Sequence, residues 1–131
     1  MGLDPLSQTT TITFKSLYAV KVTASIAFGL LTEPLKNTDS TTAGWKQGSL
    51  GLWSTNGGRY EQDYGNIWVD GKQVGNSSKD LFLAENGRLS MTVDIPSRSV
   101  TFSINGNQVA KIQNVEWLQA GKVYVVCIVQ L

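Results

Sequence analysis

The amino-acid sequence predicts an all-β protein, a two-sheet antiparallel β-sandwich with no long helices. Turn-forming residues recur about every eight to twelve positions, which is typical of short strands joined by tight turns. Between these turns the side chains alternate between apolar and polar, and no stretch has the apolar spacing of a helix of three turns. The composition agrees, because 13 glycines against 3 prolines and only 16% charged residues suit a globular β protein.

The clearest signal is a three-stranded antiparallel meander in the C-terminal half of the chain. Apolar and polar side chains alternate in Arg88–Asp94, again in Ser99–Ile104 and once more in Gln108–Ile112. The last two segments flank Asn105 and Gly106, a dipeptide that tolerates the positive φ angles of a two-residue hairpin turn. Alternation with a period of two predicts strands that have one buried face and one solvated face.

Similar patterns predict the rest of the sandwich. Further strands are predicted at Thr9–Lys15, Tyr18–Thr23, Ser25–Leu31, Ser49–Ser54, Arg59–Gln62, Tyr64–Val69, Lys72–Val74 and Lys122–Gln130. Asp70 and Gly71 predict a hairpin turn, and Gly75–Asp80 is predicted to be a polar loop. Because Lys122–Gln130 is almost continuously apolar, we expect a central strand that is buried on both faces, with Cys127 buried in it. Residues 1–8 are predicted to form a loose N-terminal segment, and residues 9–131 a single domain.

Charge and hydropathy argue against two classes of partner. The formal net charge is +1, so the overall electrostatics do not favour nucleic acid or an anionic membrane. No apolar run approaches the roughly 18 residues of a transmembrane helix, and no signal peptide is recognisable, so we expect a cytoplasmic or intracellular protein. A closed sandwich with a short polar N-terminal segment needs no partner to fold, which predicts a monomer.

The residues that most enzymes require are missing. The sequence has no histidine, which removes the Ser-His-Asp triad, the commonest general base and the usual zinc sites. No glycine-rich phosphate-binding motif occurs. Glu61 and Asp63 share one face of a predicted strand, as in retaining sandwich glycosidases, but no second glutamate follows to complete the pair. We therefore expect no enzyme activity, no cofactor and no metal, and we expect these two carboxylates to be solvated.

Recognition is the remaining general role, and large aromatic or arginine side chains are its candidates. Tryptophan, tyrosine and arginine dominate binding hot spots because they bury much area at low entropic cost. The predicted ligand-binding residues are Trp45, Trp53, Arg59, Tyr60, Tyr64 and Trp68. Packing at the core or edge of the sandwich is the alternative for each tryptophan, and it is the favoured one for Trp45 and Trp117.

Three segments, in this order along the chain, resemble the SPRY (B30.2-type) domain family. Ser25–Leu30 is similar to an early strand of that family, and Gly44–Tyr60 to its tryptophan followed by a small-residue strand. The meander is similar to the strand signature that ends in Asn-Gly, here Val93–Gly106. The resemblance covers about residues 12 to 130. Two features depart from the family pattern: Asn86–Arg88 replaces its usual glycine and aspartate, and the frequent N-terminal PRY-type extension is absent.

The resemblance implies a bent, concanavalin-like sandwich that binds a protein or a short peptide. Such domains are usually one module of a larger intracellular polypeptide, as in an adaptor, and their ligand meets variable loops that hold no fixed motif. From the residues themselves, we place the site on the loops around Thr32–Trp45, Thr55–Tyr60 and Tyr64–Trp68. A lectin-like module is the alternative, with exposed Trp53 or Trp68 as a platform for sugar rings beside Asp or Asn side chains. A glycosidase comes third.

Overall fold

The protein folds into two antiparallel β-sheets in a computed structural model. The structure describes Leu6 and residues 8–15, 25–33, 47–54, 64–80 and 88–130. The nine strands are β1 (Thr10–Lys15), β2 (Ser25–Leu31), β3 (Ser49–Ser54), β4 (Tyr64–Val69), β5 (Lys72–Asp80), β6 (Arg88–Asp94), β7 (Ser99–Ile104), β8 (Asn107–Ile112) and β9 (Tyr124–Gln130). A four-stranded sheet has the order β1-β6-β7-β8, and a five-stranded sheet has the order β5-β4-β3-β2-β9. These residues contain no helix, so the predicted all-β sandwich is confirmed.

The predicted meander forms strands β6, β7 and β8 of the four-stranded sheet. Its hairpin turn has φ angles of 51° at Asn105 and 84° at Gly106, both positive as a two-residue primed turn requires. The other predicted hairpin turn, between β4 and β5, has the same signs, with φ angles of 53° at Asp70 and 82° at Gly71. Local turn chemistry therefore determines the register of both hairpins.

The main core lies between the two sheets and follows from the alternation in each strand. Phe28 and Leu52 point into it from the five-stranded sheet, and Met91 and Phe102 from the four-stranded sheet. The rings of Phe28 and Phe102 meet edge to face across the core, with their centroids 6.3 Å apart and an interplanar angle of 68°. Burial of these side chains on both inner faces provides most of the hydrophobic stabilisation of the sandwich.

A second, smaller apolar cluster lies on the outer face of the five-stranded sheet. Ala27, Leu31, Trp53 and Val126 are buried there, and Trp68 packs against them. Gly29 lies on the same face, and a Cβ atom at that position would collide with the carbonyl oxygen of Leu50 in β3. The central strands β2 and β3 of this sheet are therefore buried on both faces.

The C-terminal strand corrects one prediction. Strand β9 is an end strand of the five-stranded sheet as described, not a central one, and Cys127 in it is exposed instead of buried. The apolar run nevertheless reflects two covered faces, because Val125 packs against the main core and Val126 belongs to the cluster on the outer face. Apolar residues at both odd and even positions of a strand therefore indicate that its two faces are covered, but not where the strand lies within its sheet.

The other difference concerns Gly75–Asp80, which was predicted to be a loop but belongs to strand β5. This polar segment pairs with β4 at the opposite end of the same sheet, where a strand needs few apolar residues. The strands predicted at Tyr18–Thr23 and Arg59–Gln62 lie outside the described residues, as do Glu61 and Asp63. Of the N-terminal segment predicted to be loose, Leu6 forms a β-bridge with Val123.

Candidate functional site

Two of the predicted binding residues lie on the outer face of the five-stranded sheet. Trp53 is directly opposite Ala27 in the neighbouring strand, and Trp68 is directly opposite Gly51. These small partners leave room that the two large rings fill, and as a result Trp53 is only 9% exposed and Trp68 is half-buried. Both residues therefore have a packing role, and so little of Trp53 is accessible that its ring offers no broad stacking platform. A part in binding stays a prediction for both.

The remaining predicted binding residues fall mostly outside the described part. Trp45, Arg59 and Tyr60 are not among the described residues, and for Tyr64 the structure describes the backbone of β4. The strand register nevertheless fixes where the predicted loops begin and end. Residues 34–46 lead towards the start of β3, whereas residues 55–63 leave from its other end, where Ser54 pairs with β4. The two ends of β3, Ser49 and Ser54, are five residue steps apart, which is about 17 Å at the rise of a strand.

An open groove lies at the end of the sandwich where β3 begins. Its walls are the turn between β4 and β5 on one side and the chain segment after β8 on the other. We call it the Asp70–Trp117 groove; its volume is about 580 Å³, and it is lined by Gln47, Val69, Asp70, Val74 and residues 112–117. A volume of this size is within the range of ligand-binding clefts.

Asp70 holds three segments of the chain together at this groove. Its backbone N–H donates to the carbonyl oxygen of Ser49 at 3.0 Å, which ties the turn to the start of β3. Its carboxylate oxygen Oδ1 accepts two further hydrogen bonds, from the backbone N–H of Gly48 at 2.7 Å and from the indole Nε1–H of Trp117 at 3.1 Å. The indole is thereby held in one orientation at the groove wall before any ligand arrives.

Val74 presents an apolar side chain to water at the same groove. It is 55% exposed and stands out as the exposed large hydrophobic residue of the described part of the chain. Its position is irregular, because Gln73 pairs with Trp68 and Gly75 with Ile67, which leaves Val74 as an extra residue in β5. Such a β-bulge bends the strand and redirects a side chain, and bulges are frequent at sheet edges and beside functional sites.

The other wall is the segment after β8, which is held against the core at Val115. This residue is 3% exposed, and its backbone N–H donates to the carbonyl oxygen of Arg98 at 3.0 Å. Asn114 before it has a positive φ of 60°, and the chain bends so that Asn114 and Glu116 stay exposed. The rim of the groove therefore carries amides and carboxylates above an apolar floor.

The sequence indicated roles for several residues of this groove, but not that they lie together. Asp70 was identified as a turn residue, and Val74 as the end of a short strand. Trp117 was predicted to pack at the core or edge, which is confirmed by its packing against the main core. Its hydrogen bond to Asp70 joins residues 47 positions apart, so only the assembled fold could show it.

The described residues hold no group of three or more His, Cys, Asp and Glu side chains placed to bind a metal ion. The same residues include no helix with the length and hydropathy needed to cross a membrane. A groove with an apolar floor, a fixed indole and a polar rim is suited to binding.

Comparison with known proteins shows the fold. No family model matches the sequence, and no curated protein matches it. Among solved structures, the carbohydrate recognition domain of Emp47p aligns over 98% of this chain and 67% of its own, with a TM-score of 0.66 and 11% identity. The SPRY domain of human HERC1 aligns over 99% and 70%, with a TM-score of 0.56 and 17% identity. A legume lectin-like domain from Entamoeba histolytica aligns over 97% and 74%, with a TM-score of 0.55 and 12% identity.

These similarities support the sandwich architecture and leave two kinds of ligand open. The identities are too low to carry a function from any of the three proteins to this chain. A SPRY domain stands beside two lectin-like domains, so the fold is compatible with the predicted SPRY resemblance and with its lectin-like alternative.

Proposed function

We propose that this chain is a non-catalytic interaction module that binds a protein or a short peptide, with the Asp70–Trp117 groove in its binding surface. The observation that carries the proposal is Val74, an aliphatic side chain 55% exposed on a bulge beside a tryptophan held in place. An exposed valine is costly to leave in water and gains from contact with another apolar side chain. A peptide supplies such side chains, whereas sugar hydroxyls would lose hydrogen bonds against it.

The architecture of the groove supports the same reading. A central apolar patch with a polar rim is the usual anatomy of a protein interface, and an aromatic anchor is its commonest hot spot. Trp117 and Val74 supply the patch, and Asn114 and Glu116 the rim. Because Trp117 is already fixed by Asp70, little side-chain entropy is lost when a ligand packs on it.

We propose that the predicted binding loops contribute to the outer part of the same binding surface. Gln47 lines the groove and Trp45 precedes it by two residues in the sequence, so we propose that Trp45 contributes to the wider surface. Arg59, Tyr60 and Tyr64 are proposed to contact a larger partner. We further propose that the domain works as a monomeric, intracellular module of a larger polypeptide, as an adaptor does.

A carbohydrate ligand is the second candidate, and one observation favours it. The groove places the amides of Gln47, Gln113 and Asn114 together with the carboxylate of Asp70 beside an indole. Amides and carboxylates hydrogen-bond sugar hydroxyls, and an aromatic face stacks on the apolar side of a sugar ring. In this reading Trp117, instead of Trp53 or Trp68, is the platform.

The test is a peptide-display selection on the immobilised domain, run in parallel with a glycan array. We expect peptides to be enriched, and we expect Val74→Ser to weaken their binding about tenfold, because the apolar contact is lost. Gln108→Ser is the matched control, since Gln108 is exposed in β8 and does not line the groove. The dissociation constants are measured by calorimetry on variants whose circular dichroism matches the wild type.

Two results would reject the protein-binding proposal. The first is selected peptides whose affinity is the same for Val74→Ser, Gln108→Ser and the wild type, because the groove would then not be their site. The second is an array that shows glycan binding dependent on Asn114 or Trp117 while no peptide is enriched, which would transfer the function to the lectin-like alternative.

A further inference from the structure

The charged residues described in the lining of the Asp70–Trp117 groove have one sign. They are two carboxylates, Asp70 and Glu116, and the described lining contains no lysine or arginine. The whole chain has a formal net charge of +1, so this acidity is local to the groove. Lys111, next to the lining residue Ile112, acts electrostatically on Asp94, which lies on the outer face of the other sheet. The groove therefore complements a cationic group.

One carboxylate oxygen at the groove has unused capacity. Both hydrogen bonds to the carboxylate of Asp70 end on Oδ1, and among the described residues no donor is found on Oδ2. A carboxylate oxygen accepts two hydrogen bonds, so Oδ2 can take donors from a ligand. The half-buried Trp117 next to it carries a ring face that attracts cations.

We propose that the groove recognises an arginine side chain of its peptide ligand, together with an apolar residue two positions away that packs on Val74. This inference rests on the proposed peptide-binding function and adds the chemistry of the partner. The guanidinium lies along the indole of Trp117 and donates to Asp70 Oδ2, and Glu116 attracts it at the rim. Arginine fits better than lysine, because its planar guanidinium stacks on an aromatic ring and its five N–H donors can also reach amide oxygens of the rim.

The location of the bulge supports a pair of side chains as the ligand. Val74 and Asp70 lie on the two sides of one hairpin turn, and Val74 is turned towards the groove where β5 departs from regular pairing. In an extended peptide, an arginine and an apolar residue two positions away project from the same face, about 7 Å apart, so both side chains can face the groove. Specificity then comes from the charge, and part of the affinity from the apolar contact.

The probes are four peptide pools of the form Ac-X-X-Z-X-X-NH2, in which Z is arginine, lysine, citrulline or glutamate. Citrulline is the matched neutral control, because it keeps the shape of arginine and loses its charge. We expect the arginine pool to bind about tenfold more tightly than the citrulline pool, as a charge-assisted hydrogen bond does relative to a neutral one. The lysine pool lies between them, and the glutamate pool binds most weakly. The preference should decrease as salt is added.

Three protein variants are tested: Asp70→Asn, Glu116→Gln and the double variant that carries both substitutions. Asparagine keeps an oxygen that can accept from Gly48 and Trp117, so the groove retains its shape while the charge is removed. We expect the double variant to bind the arginine and citrulline pools equally. Circular dichroism and amide chemical shifts of Gly48 and the Trp117 indole verify that the fold is unchanged.

The outcomes separate this inference from the proposed function. Equal binding of arginine and citrulline pools by the wild type, or a preference that survives in the double variant, would overturn the arginine assignment. So would a failure of the arginine pool to bind. If Val74→Ser still weakens every pool to the same extent, the peptide-binding function stands without the arginine. If Val74→Ser changes nothing, the groove itself is the wrong site and the proposed function fails at that place.

Discussion

The outer faces of the two sheets differ in how they are stabilised. On the five-stranded sheet, Ala27 and Leu31 are 0% and 1% exposed and belong to a second apolar cluster. On the four-stranded sheet the outer face has hydroxyl groups, and Thr11 and Thr92 share a hydrogen bond of 2.9 Å across β1 and β6. Thr13 and Ser90 do the same at 3.0 Å. The central strands of one sheet are thus buried on both sides, and the other sheet has one solvated side.

The difference explains which parts of the fold can be predicted from the sequence. A sheet with one solvated face gives strict alternation, so the strands of the meander are predicted with their correct boundaries or within one residue. A sheet buried on both faces has apolar or small residues at both parities, so burial is predicted but position within the sheet is not. Strand β9 shows this limit.

The largest expected effect is at the close approach between β2 and β3. Gly29→Ala should destabilise the fold by more than about 4 kcal/mol, because the new Cβ meets the carbonyl oxygen of Leu50, which cannot move without breaking the sheet. Gly106→Ala is the matched control. Nothing lies within 4 Å of its added Cβ, so only its φ of +84° is unfavourable. That should cost about 1–2 kcal/mol. Urea denaturation measures both, and similar losses would contradict the close approach.

The two outer faces should respond differently to truncation. Leu31→Ala should lower the free energy of unfolding by about 2–5 kcal/mol, because it leaves a cavity in the second cluster. Thr101→Ala on the outer face of the four-stranded sheet should cost less than about 1 kcal/mol, since only strand propensity and a partly exposed side chain change. Guanidinium denaturation of both variants tests the comparison. If Leu31→Ala lowers the free energy of unfolding as little as Thr101→Ala does, the outer cluster adds no stability.

The candidate site was less predictable than the sheets, for a physical reason. Turn residues such as Asp70 carry a local signal, because the φ angles of a primed turn restrict the sequence. The pairing of Asp70 with Trp117 and the bulge at Val74 depend instead on where β5 and the segment after β8 meet in space. No spacing in the sequence predicts that these two segments lie close together. The sequence-based preference for aromatic residues selected Trp53 and Trp68, which the fold uses for packing on the outer face of the five-stranded sheet.

The smallest expected effect is on the solvated face and depends on pH. Ser97 Oγ–H donates to Asp94 Oδ2 at 2.6 Å and Thr9 Oγ1–H to Oδ1 at 2.9 Å, and these bonds, with the nearby charge of Lys111, lower the pKa of the Asp94 carboxyl. A carboxyl with a lowered folded-state pKa adds stability above its unfolded value of about 3.9, and that stability is lost as the pH falls through the folded value.

We therefore expect Asp94→Asn to be slightly less stable than the wild type at pH 6, with the gap closing as the pH falls below about 4. Urea midpoints of both proteins between neutral and acidic pH measure this gap. Thr92→Val is the control, because it alters the same face without a titrating group, and its offset from the wild type should not change with pH. A gap for Asp94→Asn that stayed constant with pH would mean that the loss comes from hydrogen-bond geometry and not from the charge of Asp94.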